Sequence, residues 1–108
     1  MITEIQKIAE ANKEGFTIEL EYLTHVTTGI VVAYKETQNS FGDEGLIKCV
    51  NHALYNDNIV GGWFNEADNQ FYFDSCRTFE NLTEAIEFGR LNGQTAIFDL
   101  DNLREIRL

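Results

Sequence analysis

No proline occurs in the chain, and cations are scarce: 8 lysines and arginines stand against 18 aspartates and glutamates. The first absence leaves every backbone N–H free to join a helix or a ladder. The second leaves a formal net charge of −10, which repels phosphate backbones and anionic lipid headgroups. The positive residues do not gather to offset this, since Lys7, Lys13, Lys35, Lys48, Arg77, Arg90, Arg104 and Arg107 are scattered. Neither direct nucleic-acid binding nor membrane binding is expected. The ordinary reading of the acidity is solubility. Its sharper reading is a surface that competes for basic partners.

Cysteine and histidine are equally sparse. Cys49 and Cys76 have no CxxC spacing, so two packed, reduced thiols are expected rather than a disulfide. His25 and His52 have no partner at HxxxH or HxxE spacing. Zinc needs three or four convergent ligands, so no metal and no cofactor is expected. The N-terminus lacks a basic stretch followed by an apolar one, and no apolar run approaches a membrane span in length. The expectation is a cytoplasmic protein.

What is there is the material of a core. Hydrophobic residues make up 44% of the chain and aromatics 12%, which argues against disorder, and the length suits one domain over residues 1–108. Ile2, Ile5, Ile8 and Ala9 recur at helical spacing, Thr3 with Gln6 has the form of a capping box, and Gly15 offers a stop. Phe16, Ile18, Leu20 and Tyr22 alternate with Thr17, Glu19 and Glu21, predicting a strand with one wet face. Residues 30–34 are a continuous apolar run, as in an interior strand. The polar segment 38–43 predicts a loop, with Ser40 or Asp43 capping a helix that carries Leu46, Ile47, Val50 and Leu54.

Residues 59–64 and 70–76 predict a hairpin about the turn 66–69. Asn81 and Glu84 form a capping box before a helix with Leu82, Ala85 and Ile86, closed by Gly93. Residues 95–100 predict a last strand, with Leu103, Ile106 and Leu108 packed or forming a short further one. The order α-ββα-ββα-β predicts an α+β domain, an antiparallel sheet of about five strands with helices mainly on one face. Residues 16–56 and 59–93 share a hairpin-then-helix pattern, which would fit duplication of a ββα unit.

No polar pattern forms a catalytic motif. Cys49 and His52 sit three residues apart, a spacing that a nucleophile pair can use, but Cys49 borders the apolar stripe and packing is its ordinary role. Glu19 with Glu21, and Asp99 with Asp101, share strand faces. Glycosidase chemistry instead needs carboxylates facing across a cleft. The loop at Asn39, Ser40 and Phe41 precedes a helix N-terminus, a place suited to an anion. Asp43 and Glu44 already complement that end, so a capping loop is favoured over a small-ligand or enzyme site. The aromatic hairpin is different. Trp63, Phe64, Phe71, Tyr72 and Phe73 cannot all face one core. Trp63, Phe64, Tyr72 and Asp74, with Tyr34, are therefore the candidate partner-binding residues.

The segments Thr37-Gln38-Asn39-Ser40-Phe41-Gly42, Val60-Gly61-Gly62-Trp63, Tyr72-Phe73-Asp74-Ser75 and Ala85-Ile86-Glu87-Phe88-Gly89-Arg90 together resemble small uncharacterised proteins and domains carried on conjugative transposons and phages of gut bacteria. Some similar modules are attached to large polyvalent proteins of mobile elements. The resemblance implies a mobile-element setting and transfers no active site. The expected function is a non-enzymatic protein-binding accessory module, with homo-oligomerisation left open. The alternative is an acidic DNA mimic that inhibits a restriction or nuclease system, its carboxylates standing in for phosphates.

Overall fold

The helical spacing of Ile2, Ile5, Ile8 and Ala9 sets one apolar stripe along α1 (Ile2–Ala11), which buries Ile5 and Ala9. The computed structural model describes residues 1–108. Beyond α1 come β1 (Phe16–Glu19), β2 (Thr24–His25), β3 (Ile30–Ala33), a 3₁₀ turn at Lys35–Thr37, β4 (Ser40–Phe41) and α2 (Gly42–Leu54). The hairpin of β5 (Ile59–Asn65) and β6 (Gln70–Phe79) follows, then α3 (Leu82–Leu91), β7 (Ala96–Asp99) and β8 (Arg104–Arg107). The class is α+β, as the pattern predicts, but the sheet has 8 strands rather than about five. Its order is β2-β1-β5-β6-β3-β7-β8, and every pairing is antiparallel.

The long strand β6 is the spine. One edge pairs with β5 along its length, and the other pairs first with β4 and then with β3. The segment 38–43, expected as a loop, thus contributes a strand. The break between β3 and β4 is bridged by a side chain: Thr37 Oγ1 accepts the Ser75 N–H at 2.9 Å, while the Ser75 carbonyl accepts the Tyr34 N–H. Ser40 does not cap α2. Its hydroxyl donates to the Thr37 carbonyl, and Asp43 instead accepts from Gln6 at 2.8 Å, tying α1 to α2. Nor does Thr3 cap α1, which starts one residue after Met1, and α1 ends before Gly15 at its cap Asn12. Asn81 does cap α3, accepting from the Glu84 N–H at 3.0 Å.

All three helices cover one face. Ile5, Ala9, Leu46, Cys49, Val50 and Ala53 pack on Phe16, Ile18, Leu20, Val60 and Phe73. Ala85 packs with Ile30, Val32 and Ile97 beneath α3. At Gly62 the Phe16 and Phe73 rings of the first cluster crowd the backbone so closely that an added Cβ would lie 2.7 Å from the Phe16 ring.

The two ends of the sheet carry one repeated unit. α1 and α3 begin at residues 2 and 82, β1 and β7 at 16 and 96, β2 and β8 at 24 and 104, an unvarying offset of 80. Asn12 and Asn92 both cap their helix and donate to the carbonyl four residues back. Glu19 and Asp99 both accept N–H groups from the turn that follows. Leu23 and Leu103 both have positive φ, 54° and 50°. Even the registers agree: Glu19 pairs with Thr24, and Asp99 with Arg104. The repetition is thus αββ, over 2–25 and 82–105, a unit other than the hairpin–helix one suggested by the pattern. Because the two hairpins extend the sheet in opposite directions from strands that run the same way, one is turned over relative to the other. Phe16 and Ile18 point to the helices in the first, Ile97 and Asp99 in the second.

Candidate functional site

Register decides which side chains share the face that no helix covers. Directly paired residues lie on one side of a sheet. The pairs Trp63–Tyr72, Gly61–Asp74, Ala33–Cys76 and Val31–Phe98 therefore belong together, as does Thr17 opposite Gly61. The twisted sheet curls around them into an open groove of about 910 Å³. The first hairpin and the segment after it supply one wall, with Thr17, Val26 and Thr27; the inverted hairpin supplies the other, with Phe98, Leu100 and Leu103. The larger apolar side chains gather on the second wall, which also carries Glu105.

At the open end stands an aromatic ladder. Trp63 stacks on Tyr72 with ring centroids 5.6 Å apart and planes 22° apart, and Phe41 leans on Tyr72 from the far side. Trp63 is 45% exposed and Phe41 50%. The Tyr72 hydroxyl donates to Asp68, which raises its pKa. The loop at Asn39, Ser40 and Phe41 is thereby split. Phe41 joins the ladder, Ser40 is buried, and Asn39 holds the positive φ of 62° that lets the chain turn into β4.

Asp74 lies in the floor, half-buried, between Tyr72 and Cys76 and opposite the bare Gly61. No side chain hydrogen-bonds or ion-pairs with its carboxylate, and burial alone pushes its pKa up to about 7. The neighbouring Cys76 thiol is raised well above its usual range by burial, and burial lifts Cys49 to about 11. Neither is a thiolate nucleophile at neutral pH.

Family models, curated proteins and solved structures give no match to this chain.

The remaining candidates face the other way. Phe64 lies on the helix side against Phe71, with the Lys13 ammonium 5.3 Å above its ring. Tyr34 fills the cleft between α2 and α3, its ring 4.8 Å from that of His52 and 5.2 Å from that of Phe88. Its hydroxyl donates to Asp57, and burial together with that carboxylate raises its pKa to about 12. Trp63, Tyr72 and Asp74 are thus brought together, whereas Phe64 and Tyr34 are not.

The structure also assembles a chain that spacing did not reveal. Ser75 Oγ lies 2.7 Å from His52 Nδ1, and His52 Nε2 lies 3.6 Å from Glu36 Oε2. A hydroxyl, an imidazole and an acid in that order is the outline of a hydrolase triad. Here Ser75 has no exposed surface, so its oxygen cannot meet a substrate. The chain pins the 3₁₀ turn and α2 to β6. Its members sit on three elements with no local motif, so no sequence signal marks them. No three histidines, cysteines or carboxylates come together as a metal site, and no helix is long and apolar enough to cross a membrane.

Proposed function

We propose that this protein is a non-enzymatic binding module whose uncovered sheet face receives a helix of a partner protein. The observation that carries this reading is the groove: one side of the sheet is roofed by three helices, while the other exposes Trp63, Phe41, Phe98 and Leu103 around a floor in which Asp74 is the one carboxylate. Contiguous exposed apolar surface of this kind marks an interaction site. Leu103 adds weight. It is 77% exposed and held at φ 50°, a left-handed conformation that costs a leucine about 1 kcal/mol or more. The equivalent Leu23 has the same backbone but packs against the core, so Leu103 differs in offering its side chain to the outside.

The occupant is a helix rather than a strand, for a structural reason. The backbone groups of the floor already pair with neighbouring strands, so a newcomer contributes only side chains, as helices do when they layer on a sheet. The DNA-mimic alternative finds no matching feature. The carboxylates lie on all three helices, in the hairpin turns and in the groove, rather than in one phosphate-like row. The mobile-element resemblance directs the search for the partner to proteins encoded beside this one.

The test is affinity capture with tagged protein against those neighbours, one by one, at moderate salt. A partner held by the wild type should be lost with Trp63→Ser and with Phe98→Ser, both checked for folding by circular dichroism. It should be kept with Ile47→Ser, whose side chain is exposed on the helical side. Loss with Ile47→Ser alone would transfer the interface to the helices and end this reading.

A further inference from the structure

Resting on the docking reading above, we infer that the partner's helix is basic and seats one lysine or arginine on Asp74. The carboxylate stands near the middle of the groove floor. Gly61 across from it has no side chain to roof it, and no donor within the chain satisfies it. As long as the face is open, water reaches part of it. Once a second layer covers the face, that water goes, and a carboxylate without a donor is costly to bury. The covered carboxyl must then hold a proton or be given a donor by the layer, and near neutrality the two are close in free energy. A cation does this best, because its hydrogen bonds to a carboxylate are charge-assisted.

Charge argues against the other occupant, a second copy of this chain. Two copies would bring together two net charges of −10 and set Asp74 against its own equivalent. A basic helix meets attraction throughout. Around Asp74 stand Tyr72 and Cys76 on its own strand, Glu14 before β1, His25 on β2 and Glu105 on β8, while β3, β5 and β7 present no titratable group to it. Glu105 already pairs with Arg107 at 3.0 Å, and Glu14 is free to add to the attraction. The walls suit an amphipathic occupant, its apolar side on Phe98, Leu100 and Leu103 and its polar side toward Glu14, Thr17 and Thr27.

Such a contact carries a pH signature. The cation selects the ionised form of a group whose pKa is about 7, so docking releases a proton near neutrality and tightens as pH rises through that value.

The experiment uses two small probes of equal length, hexylammonium and 1-hexanol, titrated into the full chain and followed by two-dimensional amide NMR. Both should move the signals of Gly61, Trp63 and Phe98. Hexylammonium should bind about tenfold more tightly at about pH 8.5 than at about pH 5.5, and hexanol should not change. Asp74→Asn should abolish that pH dependence and leave hexanol binding intact. Equal, pH-independent binding of both probes would overturn the Asp74 contact and leave the docking face standing. Shifts by neither probe, or a stable dimer of the free protein at neutral pH, would overturn both.

Discussion

Asp74 has a cost in the free protein that is open to measurement. Its carboxyl titrates near 3.8 when unfolded and near 7 when folded. Between those values the folded state holds a proton that the unfolded state has lost, so its contribution to stability is full below about pH 4 and disappears as pH rises through about 7. Asp74→Asn should therefore stabilise the protein by about 2 kcal/mol at about pH 8 and change little at about pH 4. Urea midpoints at the two pH values decide it, and equal shifts at both would refute the assignment. The same burial silences the thiols. Cys49 and Cys76 should resist alkylation at about pH 8 until denaturant is added, as mass spectrometry would read.

Among elements, two sites separate what the fold needs from what the groove needs. At Gly45 in α2 an added Cβ would lie 2.6 Å from the backbone carbon of Ser40, which cannot swing aside. Gly45→Ala should thus destabilise by about 2–3 kcal/mol, although alanine favours a helix elsewhere. Leu103→Gly should do the reverse, raising stability by about 0.5–1 kcal/mol through relief of its positive φ, while weakening partner binding. Thermal melts beside capture assays test the pair; a Leu103→Gly variant that keeps full binding would remove that leucine from the interface. At this scale much was legible in the sequence. The spacing of Ile5 and Ala9, the alternation of Phe16 and Ile18, and the Asn81 cap are local signals, and local physics produced the elements they forecast. β4 was not legible, because two residues carry no periodicity and its register depends on Thr37 standing in for a missing backbone bond. The αββ repeat was hidden for a subtler reason. Turning the second hairpin over exchanges buried and exposed positions, so equivalent residues such as Ile18 and Phe98 obey opposite hydrophobic demands. The candidate site was half visible: the surplus of rings pointed to Trp63, Tyr72 and Asp74 but equally to Phe64 and Tyr34, and only the strand register separated them and set Asp74 opposite Gly61.

For the whole molecule, the charge of −10 and the basic character inferred for the partner together make association sensitive to ionic strength. Affinity for the partner should fall as salt rises from low to physiological concentration, mainly through slower association, and surface plasmon resonance would show it. An affinity indifferent to salt would mean that apolar contact alone carries the complex.

The inverted hairpin gives this last scale its most specific consequence. A cradle built from two matching sides would accept a visitor in either of two orientations related by half a turn. Here the flipped hairpin gathers Phe98, Leu100 and Leu103 on one bank, while the other carries Thr17 and Thr27 beside Val26. A visitor reversed end for end would set grease against threonine and charge against leucine. The repeated unit, by being flipped, gives the cradle unlike banks, which would favour one sense of a visitor over its reverse.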